Sequence, residues 1–316
     1  MPIIPKATPS KTVSPGSPSS KQKTSPWRIT TPRYQFKDLI LDRSTIAQLR
    51  DAVSFYMNRD LLFDTWGLTE RHSNQDGLTV NLYGEPGTGK TMAAHAMANA
   101  LEKRILPVDY AEIESKYVGE TAKNLTALFR VASEQDAVIF FDEADALLSK
   151  RVTIMNSATD VSVNQTRSVL LTLLNDYHGV ILFATNFLRN YDPAFLRRIR
   201  YHIHFNLPDT ALREALWKHF VPARMPCHVD YRALAERFDG ISGSDIAAAV
   251  FNAAVRAARN QVEEVSQAHL ERAIQDMIDV KMANNSSLVR GSTETLSESK
   301  IHHTENNRME EGAEHN

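Results

Sequence analysis

The sequence predicts an α/β fold, a doubly wound parallel five-stranded sheet followed by a small all-helical domain. Three observations carry that reading. Five short β-rich runs alternate with helical periods, the pattern of strands joined by crossover helices. Several of the runs are apolar on consecutive positions, as a sheet covered on both faces requires. After Pro208 the strand-like runs stop while helical periods continue.

Taken in order, the chain opens on a basic arm, assigned to residues 1–36. Residues 1 to 37 hold seven basic residues and no acid, together with seven of the 13 prolines, a composition that buries too little apolar surface to fold. The arm has the Ser-rich, acid-free character of an organelle transit peptide, but prolines at 2, 5, 9, 15 and 18 prevent the amphipathic helix such a peptide needs. Across residues 37–208, Leu78 to Tyr83, Arg104 to Val108, Ala137 to Asp142, Gly179 to Thr185 and Tyr201 to Phe205 read as strands. Ala93, Ala96, Met97, Ala100 and Leu101 mark one intervening helix by their three- and four-residue spacing, and Leu125, Leu128, Phe129 and Ala132 mark another. The helical domain, residues 209–282, shows the same spacing at Leu212/Ala215/Leu216, Ile246/Ala249/Val250/Ala253/Ala254 and Leu270/Ala273/Ile274/Met277/Ile278. Residues 283–316 carry six Glu against Arg290, Lys300 and Arg308 among Ser, Asn and Thr, and read as a second disordered segment, an acidic tail.

Composition narrows the function. The 316 residues are 42% apolar with a net charge of -2, an ordinary globular composition. Setting the arm at +7 and the tail at -3 against that total leaves about -6 for residues 38 to 282, which disfavours nucleic acid as a partner. No apolar stretch approaches the ~18 residues of a membrane span. The single cysteine, Cys227, allows neither an internal disulfide nor a Cys-based zinc site, and points to a reducing, cytoplasmic setting.

Two motifs carry chemistry. The first strand runs into Gly84-Glu85-Pro86-Gly87-Thr88-Gly89-Lys90-Thr91, a match to G-x-x-x-x-G-K-[ST] with a strand before it and a helix after it. Backbone N–H groups of such a loop turn inward around phosphate oxygens, Lys90 meets the β- and γ-phosphates, and the Thr91 hydroxyl is placed for Mg²⁺. The third strand delivers Asp142 and Glu143 at its C-terminal end, where doubly wound sheets hold their ligands. Asp142 would hold Mg²⁺ through water, and Glu143 would deprotonate the water that attacks the γ-phosphate. The fold is thus expected to be that of a P-loop NTPase, with ATP and Mg²⁺ as its cofactors. Asp142 to Asp145 spell Asp-Glu-Ala-Asp, with Ser157-Ala158-Thr159 further on, but a helicase of that kind needs a second sheet domain for which too little chain follows. His202 and His204 share one side of a strand without a third ligand at suitable spacing, so no metal site is expected there.

The order of further parts carries a resemblance. Ala184-Thr185-Asn186 ends the fourth strand, and Asp192-Pro193-Ala194-Phe195-Leu196-Arg197-Arg198-Ile199-Arg200 leads into the fifth. Gly240-Ile241-Ser242-Gly243-Ser244-Asp245-Ile246 comes later. With the P-loop and Asp142-Glu143, residues ~36 to 282 resemble the AAA ATPases, and look like the branch containing spastin, katanin and bacterial single-ring AAA proteins. The resemblance implies a homo-hexamer that hydrolyses ATP at subunit interfaces. Asn186 would be the sensor that aligns the hydrolytic water. Arg197 and Arg198 would be arginine fingers reaching a neighbour's site, with Arg200 a third candidate. Gly243 and Ser244 would close a helical lid over the adenine. Where the family has a small Gly turn beside the adenine, this chain has Asp38-Leu39-Ile40-Leu41, which puts adenine contacts there in doubt. Lys116-Tyr117-Val118-Gly119-Glu120-Thr121 matches the family's pore loop, in which Tyr117, Val118 and Gly119 would grip a protein substrate in the central pore. The expected function is therefore remodelling, unfolding or disassembly of a protein, with an ATP-gated assembly or signalling switch as the alternative.

Overall fold

The computed structural model describes residues 27–68, 77–109, 120–148, 158–186 and 191–283. Five strands, β1 (Leu78–Gly84), β2 (Arg104–Val108), β3 (Ala137–Phe141), β4 (Val180–Thr185) and β5 (Tyr201–Phe205), form one sheet in the order β2-β3-β4-β1-β5. Every pairing is parallel, with Val80 opposite Leu182 and Tyr201, and Phe140 opposite Leu182. The strands lie where the apolar runs predict them, to within a residue at each end.

Consecutive apolar residues in the strands feed two cores. Ile105, Val138, Phe140, Val180 and Leu182 face α1 (Arg43–Met57) and α2 (Lys90–Ala100), which contribute Leu49, Ala52, Val53, Ala93 and Met97. Their neighbours Leu106, Ile139, Phe141, Ile181 and Phe183 face α3 (Glu120–Glu134) and α5 (Ala158–Asp176) through Leu125, Leu128, Phe129 and Leu170. Phe141 stacks on Phe183 across the sheet, with ring centroids 5.2 Å apart. Between β3 and β4 also lies the single-turn helix α4 (Asp145–Leu148), and α6 (Pro193–Leu196) precedes β5. A doubly wound sheet needs this two-sided cover, and its C-terminal strand ends are thereby gathered along one rim.

The helical domain has its own core. Helices α7 (Thr210–Phe220), α8 (Tyr231–Arg237), α9 (Gly243–Arg259) and α10 (267–283) enclose Trp217, Leu234, Ile246, Ala249, Leu270 and Ile274. Asp209 caps α7 by accepting from the Leu212 N–H at 2.8 Å, so the domain starts directly after Pro208. The buried Arg213 ties its entry together, donating to Pro208 O, Ala235 O and Asp239 Oδ1 at 2.8, 3.0 and 2.7 Å.

The arm is shorter than its composition suggests. Trp27 and Ile29 pack against the α3/α5 side of the sheet, and Thr30 exchanges both backbone hydrogen bonds with Ile105 of β2, at 2.8 and 2.9 Å. The Arg33 N–H donates to His95 Nδ1 at 3.3 Å, and Tyr34 meets the same ring edge-on. The expectation of disorder through residue 36 is corrected for residues 27–36, because two large apolar side chains and one backbone pairing anchor a stretch whose average composition hides them. Residues 1–26 and 284–316 lie outside the described residues.

Candidate active site

A cleft of about 720 Å³ runs along the C-terminal rim of the sheet and under the helical domain. One wall holds Pro86 to Met92, Asp142, Glu143 and Asn186; the other holds Leu212, Leu216, His219, Phe220, Gly243 and Ser244.

Local sequence explains the loop at its floor. Gly84, Gly87 and Gly89 have φ of +146°, +78° and +102°, values that L side chains rarely adopt. A Cβ on Gly84 would stand 2.2 Å from Phe205 O, so β1 and β5 approach as closely as they do only with glycine there. A Cβ on Gly87 would stand 1.9 Å from Ser244 Oγ, which is how near the lid comes to the loop. The Ser244 N–H donates to Gly87 O at 3.2 Å and joins the two walls. Thr88 Oγ1 closes the turn on Glu85 O at 2.8 Å, and Glu85, the loop's second residue, also gives its carbonyl to Lys90.

Lys90 opens α2 and is buried. Its Nζ donates to Gly84 O at 2.6 Å, Glu85 O at 3.0 Å and Asn186 Oδ1 at 3.0 Å, using all three of an ammonium's protons. Burial pushes its pKa below the ordinary lysine value, and the charges of Asp142, Asp145 and Glu85 oppose that shift. Thr91 Oγ1 donates to Asp142 Oδ2 at 3.0 Å, which brings a hydroxyl and a carboxylate, both hard oxygen donors, side by side. That donor set fits Mg²⁺ completed by phosphate oxygens and water; among the described residues no cluster of three His, Cys, Asp or Glu forms a cage. Glu143 adopts φ +50° and projects from the turn after β3, exposed in the cleft. A non-glycine residue in that region stores strain of order 1 kcal/mol, which an active-site turn retains when the geometry is useful.

The two arginines of the α6 turn do not line the cleft of their own chain. Arg197 is exposed, whereas Arg198 donates to Asn175 Oδ1 at 2.8 Å and Ala194 O at 2.9 Å. Thr79 of β1 holds their backbone, donating from Oγ1 to Arg198 O at 2.9 Å. Arg200 lies over the Phe55 ring at 4.4 Å. Tyr117, Val118 and Gly119 lie outside the described residues. His202 lies 3.3 Å from Leu196 O and His204 stacks on Tyr83.

One segment whose contacts the sequence leaves in doubt lines the cleft, and other residues at the site escape sequence reasoning. Asp38 to Leu41 line the cleft without the small glycine turn, and Leu41 comes within 3.7 Å of where a Gly89 Cβ would be. His219 and Phe220 reach it from the end of α7, in a sequence stretch that reads as an ordinary amphipathic helix. Asp145 accepts the Asn186 N–H through both carboxylate oxygens, at 3.3 and 3.2 Å, a contact across 41 residues.

Comparison with known proteins agrees with this geometry. Residues 80–208 match the family model described as "ATPase family associated with various cellular activities (AAA)", and residues 228–272 match "AAA+ lid domain". The chain is 32% identical over 252 residues to the proteasome-activating nucleotidase of Aeropyrum pernix, an alignment covering 77% of this chain and 60% of the relative. It is 34% identical over 243 residues to proteasome-activating nucleotidase 1 of Haloferax volcanii, covering 74% and 58%. It is 32% identical over 240 residues to the 26S proteasome regulatory subunit 8 homolog of Saccharomyces cerevisiae, covering 72% and 57%. The chain thus spans about three fifths of the length of these curated relatives. With a strand-loop-helix cradle at the sheet rim, two carboxylates beside it and a helical lid above, the chain belongs to the AAA family of ATPases and carries that family's lid domain.

Proposed function

We propose that the chain is an ATP hydrolase that works as a homo-hexameric ring and spends its cycle remodelling, unfolding or disassembling a protein drawn through the central pore. The observation that supports the hydrolase best is the convergence of Lys90, Thr91, Asp142, Glu143 and Asn186 on one cleft that the lid closes from the other side. In this reading the P-loop amides and Lys90 bind the β- and γ-phosphates, while the apolar side chains of Leu41, Leu212 and Leu216 receive the base. Thr91 and Asp142 would hold Mg²⁺, which when bound neutralises developing phosphate charge. Glu143 takes a proton from the attacking water, and the Asn186 amide orients that water. Because Arg197 and Arg198 stand away from their own cleft, a guanidinium of this turn reaches a nucleotide only from a neighbouring copy. That arrangement favours a ring with shared sites.

Threading of a protein is the part carried by Tyr117 and Val118 and by the names of the relatives, two of which are called proteasome-activating nucleotidases. The finer placement beside spastin and katanin rests on motif order alone. No helix among the described residues is long and apolar enough to cross a membrane, and with a single cysteine in the chain a cytoplasmic setting is proposed. Nucleic acid is disfavoured by the acidic body.

The test pairs hydrolysis with assembly. Glu143→Gln should bind ATP yet lose about 10² to 10⁴ in turnover, the usual worth of a general base. Wild-type turnover per subunit should rise with protein concentration as rings form. Hydrolysis by Glu143→Gln within threefold of wild type would refute the base, and a monomer with full turnover would refute the ring. Tyr117→Ala should hydrolyse ATP normally and fail to unfold a tagged protein; undiminished unfolding would replace threading with the switch.

A further inference from the structure

The fourth residue of the Asp142-Glu143-Ala144-Asp145 string has no task in the reading above, on which the following rests. As β3 and β4 end, their ladder stops at the Phe141 and Phe183 pairing, and the two chains begin to part. Beyond that point hydrogen bonds outside the ladder hold them together, two of them next to the strand ends. The Ala144 N–H donates to Ala184 O at 2.9 Å, and the Asp145 carboxylate accepts the Asn186 N–H at 3.2 and 3.3 Å. The second bond takes the place of a missing ladder rung: a side chain supplies the acceptor where the backbone of β3 has turned away into α4.

That rung fixes the residue whose amide faces the reacting centre. Asn186 has its backbone held by Asp145 and its Oδ1 turned to Lys90 Nζ, which can only donate. With the oxygen so committed, the amide presents its NH₂ as the donor for the cleft it lines. Releasing the backbone rung would let the amide rotate and translate relative to Glu143. A misplacement of ~1 Å in such a group costs of order 100-fold in rate.

From this geometry we infer that Asp145 is a positioning residue for hydrolysis: it holds Asn186, through the backbone N–H, at a fixed distance from the carboxylates of the same turn. It does not line the cleft and reaches the reacting centre through Asn186. The acceptor at that place carries this role, so an amide oxygen should serve there, while the carboxylate's charge acts separately by favouring the protonated Lys90.

The test uses the full-length chain, with turnover and the dissociation constant of a non-hydrolysable ATP analogue measured separately. Asp145→Ala should lose tenfold or more in kcat while its analogue affinity stays within about threefold. Asp145→Asn, which keeps an acceptor oxygen, should retain kcat within about threefold. In an Asn186→Ala background, Asp145→Ala should cost less than about threefold more, because its route of action is already gone. Should Asp145→Ala fail to fold, Asp145→Ser, too short to reach the N–H, takes its place. Wild-type turnover in Asp145→Ala, equal losses in Asp145→Asn and Asp145→Ala, equal losses of affinity and kcat, or a full additional loss in the Asn186→Ala background would each overturn the inference. Glu143→Gln measured alongside separates the two levels. If that variant is dead, a null result at Asp145 refutes only the positioning; if it is active, the hydrolytic reading itself has failed.

Discussion

The two walls of the cleft are built on different principles. On the sheet side, the loop and carboxylates grow out of strands buried on both faces, and Lys90 is locked by three acceptors drawn from two strand ends. On the lid side, a separate core around Trp217 holds α7 to α10 together, and among the described residues the lid's hydrogen-bond link to the loop is the one from Ser244 to Gly87. The chemistry therefore sits in a body that nothing needs to move, while the element that covers the nucleotide can shift at the expense of few bonds. A site divided this way can report which nucleotide it holds, since a change at the phosphates alters how the lid rests without unpacking either core.

The largest break in that contrast is on the sheet side. Lys90→Ala removes the buried cation, leaves Gly84 O, Glu85 O and Asn186 Oδ1 without their shared donor, and should abolish ATP binding in equilibrium titration while the lid remains folded. On the lid side the effect is smaller. Gly87→Ala drives a Cβ into Ser244 Oγ and forces alanine to φ +78°, so ATP affinity should fall about tenfold. Adding Ser244→Gly should recover part of it, because the nearest clash is relieved while the contact with Ser242 Oγ at 2.6 Å and the backbone strain remain; no recovery would show that Ser244 is not what the loop meets.

Smaller still is the cost of loosening the lid's own entry. Arg213→Ala leaves two carbonyls without their donor and removes the ion pair to the exposed Asp239, so thermal melting should show a loss of about 1 to 3 kcal/mol. Turnover per folded molecule should change less than stability does. The mildest effect is on pH. Burial, with the charge of Arg33 adding to it and Asp142 opposing, holds His95 below the ordinary histidine pKa. A depressed folded-state value means that the neutral ring stabilises the fold above the unfolded pKa of ~6.5, and that this contribution fades as pH falls through the folded value. Nδ1 can accept the Arg33 N–H only when unprotonated, so the protection of the Arg33 amide, relative to its intrinsic exchange rate at each pH, should fall as pH drops through the folded value, and His95→Gln should flatten the dependence.

What the sequence made legible was the part governed by neighbours along the chain. The strand before Gly84, the helix after Gly89 and the carboxylates at the end of β3 are all set within a dozen residues, where spacing and turn chemistry suffice. Contacts between distant segments stayed hidden. Asp145 reads as one letter of a helicase-like string until β3 and β4 are adjacent, and His219 and Phe220 read as helix surface until the lid lies over the loop. Residues 27–36 were lost to averaging, since a window rich in proline and lysine outweighs one tryptophan and one isoleucine. The corrected segment shows the converse rule, that a few large apolar side chains anchor a stretch whose mean composition argues for a free chain.

That segment also bears on handling of the protein. β2 is the outermost strand on its side of the sheet, and such a strand presents unpaired N–H and C=O groups to any other chain with an edge of its own. Thr30 takes up the N–H and C=O of Ile105, and the prolines at 26 and 32 on either side of it cannot extend the pairing. The arm thus works as a stopper against self-association: shortened versions that begin after residue 33 should fold and yet precipitate at concentrations where the full chain stays clear, which light scattering would detect.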